Sequence, residues 1–142
     1  MVEPSETAFR LGLKALARRE LSLIELCARL ERSGVLPEEA ARVSASLREA
    51  GYQSDERTAF ERARVLTARC LGDVAITADL GGRGLAATDI VCALADLPHE
   101  AARAETLAAR LGRGPKLLQT LRRKGYSEET VHRLSGTSVA DT

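Results

Sequence analysis

The chain has 142 residues, of which 21 are Lys or Arg and 20 are Asp or Glu, for a net charge of +1. That balance excludes a uniformly basic nucleic-acid protein, and no apolar run approaches the length of a membrane span. Hydrophobic residues make up 44% but aromatics only 3%, with no Trp, so any core must be built from Leu, Ala, Val and Ile. The three cysteines, Cys27, Cys70 and Cys92, are far apart. Without CxxC spacing or a pairing framework they read as free thiols packed in apolar helical settings, which points to a reducing compartment and away from zinc. Met1–Arg10 carries Glu3 and Glu6 and has no apolar signal core, so a cytoplasmic protein is expected.

The first predicted helix spans residues 7–19, with Phe9, Leu13 and Leu16 on one face. Ser22 followed by Glu25 is a capping-box pattern that opens a second helix carrying Leu23, Leu26, Cys27 and Leu30 and ending at Gly34. Pro37 suits the first turn of a third, which uses Ala40, Val43, Ser44 and Leu47 and stops at Gly51. The same order then recurs. Ser54-Asp55 caps a long helix that buries Ala59, Phe60, Ala63, Leu66 and Cys70 and ends at Gly72. Asp73 caps a short helix with Ile76 and Leu80, ending at Gly84. Thr88 or Asp89 leads a helix with Ile90, Ala93, Leu94 and Leu97, stopped by Pro98. In the third round a helix runs from about Glu100 to Leu111. Pro115 opens the next, with Leu117, Leu118 and Leu121, and Ser127 begins the last, with Val131 and Leu134.

One local pattern links the rounds: Leu, three residues, Gly, then an apolar residue. It occurs at Leu30 to Val35, Leu47 to Tyr52, Leu80 to Leu85 and Leu121 to Tyr126. It is a helix stop, in which Gly turns left-handed and the next apolar residue folds back on the preceding turn. The pattern predicts an all-α fold of three tandem three-helix repeats forming an elongated, curved array: residues 6–52, 53–97 and 98–135, with 136–142 a flexible tail.

Charge is uneven. Residues 8–19 carry Arg10, Lys14, Arg18 and Arg19 and no acid. Residues 101–126 carry Arg103, Arg110, Arg113, Lys116, Arg122, Arg123 and Lys124 against Glu105 alone, whereas 36–61 hold six acids and three bases. Basic ends flanking an acidic centre can meet phosphates or an acidic protein groove. The Arg122-Arg123-Lys124 run also complements the negative end of its own helix. No catalytic constellation stands out. His99 and His132 are 33 residues apart in polar surroundings, and the glycine-rich stretches at 81–84 and 112–114 lie at helix ends rather than after strands. Asp55-Glu56 suits the positive end of its helix. A binding protein rather than an enzyme is expected, with no cofactor and no metal.

The order of these features resembles the RecX family, small cytoplasmic regulators of the RecA recombinase. The opening Ala15-Leu-Ala-Arg-Arg-Glu-Leu-Ser22-Leu-Ile-Glu-Leu26 is similar to the family's first segment. Leu47 to Tyr52 followed by Ser54-Asp55 resembles the central Leu-x3-Gly-Tyr-x-x-Asp. Gly72, Ile76, Leu80 and Gly84 keep a Gly-x3-Ile-x3-Leu-x3-Gly spacing, and Leu121 to Ser127 resembles the closing segment. Two departures stand out: Thr58 occupies the place of an aromatic, and the stretch after Gly72 begins with Asp73 and has no Lys or Arg before Arg83.

The resemblance implies a monomer that lodges in the groove of a RecA–DNA filament and restrains ATPase, strand exchange and coprotease activity, and so acts in DNA repair, recombination and the SOS response. Direct DNA contact would be weak and non-specific, and no membrane is involved. Arg18, Arg19, Arg83, Arg122, Arg123 and Lys124 are the groups expected to face acidic side chains or phosphates. The alternative is a direct DNA-binding helical module. Against it, the helices after Gly34, Gly84 and Gly125 begin Pro-Glu-Glu, Ala-Thr-Asp and Ser-Glu-Glu, and acids at that position face phosphates badly.

Overall fold

A computed structural model describes residues 5–136. Among them are nine α-helices and no strand: α1 (Glu6–Arg18), α2 (Leu23–Arg32), α3 (Pro37–Glu49), α4 (Asp55–Ala68), α5 (Asp73–Gly82), α6 (Ala87–Ala95), α7 (Glu100–Leu111), α8 (Pro115–Arg123) and α9 (Glu128–Ser135). The tail expected at 136–142 lies, beyond Gly136, outside the described residues. No helix among the described residues is long and apolar enough to cross a membrane, and no cluster of His, Cys, Asp and Glu is arranged to hold a metal.

The starts of these helices follow from hydroxyl capping. Ser5, Ser22, Ser54 and Ser127 each accept a hydrogen bond from the first turn, and Ser22 with Glu25 completes a reciprocal capping box. Pro37 and Pro115 stand in first turns, where a missing N–H does no harm. The stops follow from the left-handed glycine. Gly34, Gly51, Gly84 and Gly125 have φ between 81° and 98°, and after each the next amide folds back. Val35 donates to the Leu30 carbonyl at 3.0 Å, Tyr52 to Leu47 at 2.9 Å, Leu85 to Leu80 at 3.3 Å and Tyr126 to Leu121 at 3.0 Å.

A fifth stop corrects the sequence reading. α4 ends at Ala68, four residues before the expected Gly72, and the left-handed residue that follows is Cys70, with φ 66°. Leu71 donates back to the Leu66 carbonyl at 3.1 Å, so Leu66 to Leu71 is the same pattern with Cys in the glycine's place. Gly72 instead occupies the N-cap of α5, which makes Asp73 the first helical residue rather than the cap. α6 likewise begins at Ala87 after Ala86, with no side-chain cap from Thr88 or Asp89.

The helices pack in three groups, α1–α3, α4–α6 and α7–α9. Each group has its own aliphatic core. Leu26, Leu30, Val43 and Leu47 lie in the first, Ala63, Leu66, Ile76 and Leu80 in the second, and Leu107, Leu117, Leu121 and Val131 in the third. Full burial of one such Leu contributes about 1.5–3 kcal/mol. In α1 the deepest residues are the small ones, Ala8, Gly12 and Ala15, while Phe9, Leu13 and Leu16 are only partly buried. The reason is close approach: a Cβ on Gly12 would stand 2.4 Å from Leu47 Cδ1, so α1 lies down on α3 where side chains are shortest. Phe60 is half-buried too. The three cysteines are free, but Cys92 is exposed and Cys70 lies outside any helix, unlike the packed helical settings expected.

Candidate interaction surface

The basic residues near the end of α1 face solvent. Arg18 is exposed and lines a shallow cavity with Lys14 and Arg29. Arg19 is exposed beside a cavity of about 350 Å³, whose wall includes Leu16, Glu20, Arg62, Val65 and Arg83. Neither Arg18 nor Arg19 makes an ion pair among the described residues.

Arg83 reaches that cavity differently. Its guanidinium pairs with Glu25 at 2.9 Å and with Asp79 at 2.7 Å, and Asp79 also meets Arg62 at 3.3 Å. The four residues form a chain of alternating charge running from α2 to α4. Burial opposes the charge on Asp79, but hydrogen bonds from Arg62 and Arg83, and their charges, outweigh it and hold the carboxyl below its ordinary range. For Arg83 burial again opposes charge, and Asp79 and Glu25 together outweigh it. This guanidinium is therefore satisfied inside the molecule.

At the end of α8, Arg122 is 57% exposed with only a 3.8 Å approach to Glu128. Arg123 is exposed with no partner among the described residues, and Lys124 Nζ donates to the Arg69 carbonyl at 3.3 Å. Lys116 and Gln119 are exposed and share a face with Arg123 at i, i+3 and i+7. Two other bases of the stretch turn elsewhere. Arg113 pairs with Glu105, and Arg103 is 9% exposed. Arg103 donates to the carbonyls of Pro98 and Leu71, each at 3.0 Å, and pairs with Asp73. The positive surface is smaller than the composition of residues 101–126 implies.

The sequence reading also missed the acids that join the groups. Asp55 Oδ1, at the start of α4, accepts from the Leu23 amide at the start of α2 at 2.8 Å. Glu100 Oε2, at the start of α7, accepts from the Asp73 amide at the start of α5 at 2.7 Å. Glu100 also takes hydrogen bonds from the Ser127 hydroxyl at 2.6 Å, the Ser127 amide at 3.1 Å and the Thr130 hydroxyl. Burial alone would raise this carboxyl; the hydroxyls and amides outweigh it and hold it below its ordinary value of 4.5. In each case the first residue of one group's leading helix caps the second helix of the group before it. The signal was present as spacing: Asp55-x2-Thr58-Ala59-x3-Ala63 recurs 45 residues later as Glu100-x2-Arg103-Ala104-x3-Ala108.

These features define an all-helical protein whose three-helix groups are clamped end to end by caps and ion pairs, with basic side chains turned outward near the ends of α1 and α8. No family model matches the chain. It is 30% identical over 138 residues to the regulatory protein RecX of Stenotrophomonas maltophilia strain R551-3, covering 90% of this chain and 85% of that protein. With strain K279a of the same species the identity is 31% over 139 residues at the same coverage. Identity to the regulatory protein RecX of Chromohalobacter salexigens is 39% over 82 residues; that match spans 58% of this chain and about half, 51%, of that protein. The fold is similar to that of the crystal structure of RecX from Lactobacillus salivarius, with TM-score 0.74 and 18% identity over 90% of this chain and 92% of that one. A second RecX crystal structure gives TM-score 0.75 at 20% identity over 96% and 72%. The chain belongs to the RecX family of regulatory proteins.

Proposed function

We propose that this protein acts in the cytoplasm by binding a RecA nucleoprotein filament and restraining its ATPase, strand-exchange and coprotease activities. Family membership supports the regulatory role. The observation that carries the surface is the contrast among the bases: Arg18, Arg19, Arg122 and Arg123 are exposed, while Arg62, Arg83 and Arg103 are matched to internal acids. In this reading Arg18, Arg19, Arg122, Arg123 and Lys124 meet acidic side chains or phosphates, and Arg83 holds the wall beside Arg19. The three groups, bounded as 6–52, 53–97 and 98–135, form an elongated and curved monomeric array. Two modest contacts on one body then reinforce each other through effective concentration.

The test is RecA-dependent ATP hydrolysis on single-stranded DNA, with purified protein titrated in moderate salt. Inhibition at stoichiometric amounts is expected, and the double variant Arg122→Glu with Arg123→Glu weakens it about tenfold or more if both groups face anions. Lack of inhibition at stoichiometric amounts overturns the proposal. The acids in the first turns of α3, α6 and α9 favour this reading over direct readout of DNA.

A further inference from the structure

The second helices of the three groups meet head to tail. The start of α2 seats on the end of α5: the Ser22 hydroxyl donates to the Arg83 carbonyl at 2.6 Å, Glu25 pairs with Arg83, and a Cβ on Gly84 would stand 2.5 Å from Ile24 Cδ1. The start of α5 seats on the end of α8: the Gly72 amide donates to the Lys124 carbonyl, and the amides of Val74 and Ala75 donate to the Gly125 carbonyl. A Cβ on Gly125 would stand 2.4 Å from Ala75 Cβ. So twice a left-handed glycine at the end of a second helix receives the first turn of another helix. Both incoming turns have a small or hydroxyl cap, Ser22 or Gly72, and a β-branched apolar second residue, Ile24 or Val74.

The third copy of this glycine is Gly34, with φ 98°. Apart from Gly34 itself and its two chain neighbours, no described atom lies within 4 Å of a Cβ built there. Next to it Leu36 is 72% exposed at the N-cap of α3, a position where Leu makes no capping bond. Arg32 is exposed and has no ion pair among the described residues. It lies within the same last turn as Gly34, near the place that Arg83 holds before Gly84.

We propose that the end of α2, from Arg32 to Leu36, is a docking site for the first turn of an α-helix in a partner protein. That helix carries Ser or Gly at its cap, Ile or Val at its second position and an acid within its first turn. Its free amides meet the last carbonyls of α2, its apolar residue covers Gly34 and Leu36, and its acid pairs with Arg32, as Glu25 does with Arg83. A second copy of this chain is a poor occupant. The free first turn of its own array is that of α8, where Pro115 has no N–H and Lys116 would meet Arg32. The inference stands apart from the RecA reading, since it is drawn from the two internal junctions.

The test uses the ¹⁵N-labelled full chain titrated with an N-acetylated peptide copying residues 21–33, which carries the Ser22-Leu-Ile-Glu25 turn after Leu21. Saturable amide shifts at Ser33, Gly34, Val35 and Leu36 are expected. Ile24→Asp in the peptide, or Leu36→Glu in the protein, weakens the binding about tenfold, the loss of one apolar anchor. Leu36 is exposed, so that variant is expected to retain the fold, and an unchanged circular dichroism spectrum is the check. Absence of shifts at these amides at millimolar peptide overturns the proposal. So do shifts clustered at Gly84, which mean that the peptide merely replaces the chain's own α2. Concentration-dependent shifts at Gly34 without peptide also overturn it, in favour of a second copy.

Discussion

Where α2 meets α5, no main-chain hydrogen bond crosses between the two helices among the described residues. The contact is made by the Ser22 hydroxyl on the Arg83 carbonyl, by Ile24 against Gly84 and by the Arg83–Glu25 ion pair, whose side chains are about 20% exposed. Where α5 meets α8, three main-chain bonds cross at 2.9–3.2 Å, and the ionic groups beside them, Arg103 and Glu100, are both 9% exposed. The difference begins at one position. Gly72 stands where the α2 end has Ser22, and a Cβ on Gly72 would lie 2.4 Å from Tyr126 Cα. Without that Cβ the two backbones touch, water leaves and bonding passes to the main chain. With a side chain present the backbones stay apart, and the crossing between these two helices rests on the Ser22 hydroxyl and on one ion pair that salt can reach. The same architecture is thereby given one tight joint and one soft joint.

The strongest way to break this contrast is at Arg103. Its guanidinium satisfies Asp73 and two carbonyls across the tight joint, so Arg103→Ala leaves three acceptors without a donor. We expect a loss of about 2–4 kcal/mol in denaturant unfolding, below the upper range for a buried pair because Asp73 is partly exposed. A loss under about 1 kcal/mol, the value typical of an exposed pair, would mean that this joint is no better shielded than the other.

Glu100 gives the second test, through pH. Its folded-state value is depressed, so its contribution is fully present above the unfolded value of 4.5 and is lost as pH falls through the lower folded value. Stability is therefore expected to be flat in this respect near pH 7 and to fall below about pH 4.5, with Asp79 adding to the fall only below 3.8. Glu100→Gln should flatten the acid limb of a plot of unfolding free energy against pH. An unchanged acid limb would place the controlling carboxylates elsewhere.

The soft joint is tested by salt. Glu25→Gln keeps an acceptor for the Ser22 amide in the capping box but removes the charge opposite Arg83. The expected loss is about 0.5–1 kcal/mol at low ionic strength, vanishing near 1 M salt, where the screening length is about 3 Å. A loss that persists in high salt would show that this pair is shielded after all, and the contrast between the joints would weaken.

The helices themselves were legible in the sequence because their signals are local. A serine cap, a first-turn proline or a left-handed glycine acts within four or five residues of itself, and the helix ends at Gly34, Gly51, Gly84 and Gly125 fall where the pattern places them. The joints were not legible for the opposite reason. Arg103 lies in a run of bases and reads as solvated until Asp73, 30 residues earlier, is brought beside it. Gly72 reads as another helix stop because nothing local distinguishes a glycine needed for φ from one needed for space. For the candidate surface, composition located the basic ends, but only the partners separate exposed Arg123 from satisfied Arg83 and Arg103.

The smallest expected effect comes from Cys70, the residue that leads into the tight joint. An L-residue in the left-handed region is disfavoured by roughly 1–2 kcal/mol, and Cys70→Gly removes that strain. Against this, glycine loses about 0.5–1 kcal/mol more conformational freedom on folding. The variant also gives up a half-buried side chain that packs on the third core and lies 3.8 Å from Arg110. The terms nearly cancel, leaving a gain of about 0.5 kcal/mol, or about 2 °C in Tm. A loss of more than about 1 kcal/mol would mean that the thiol's packing on the third core outweighs its backbone strain. Cys70 would then belong to the tight joint itself, and that joint would rest on side-chain packing as well as on the main-chain contact that Gly72 permits.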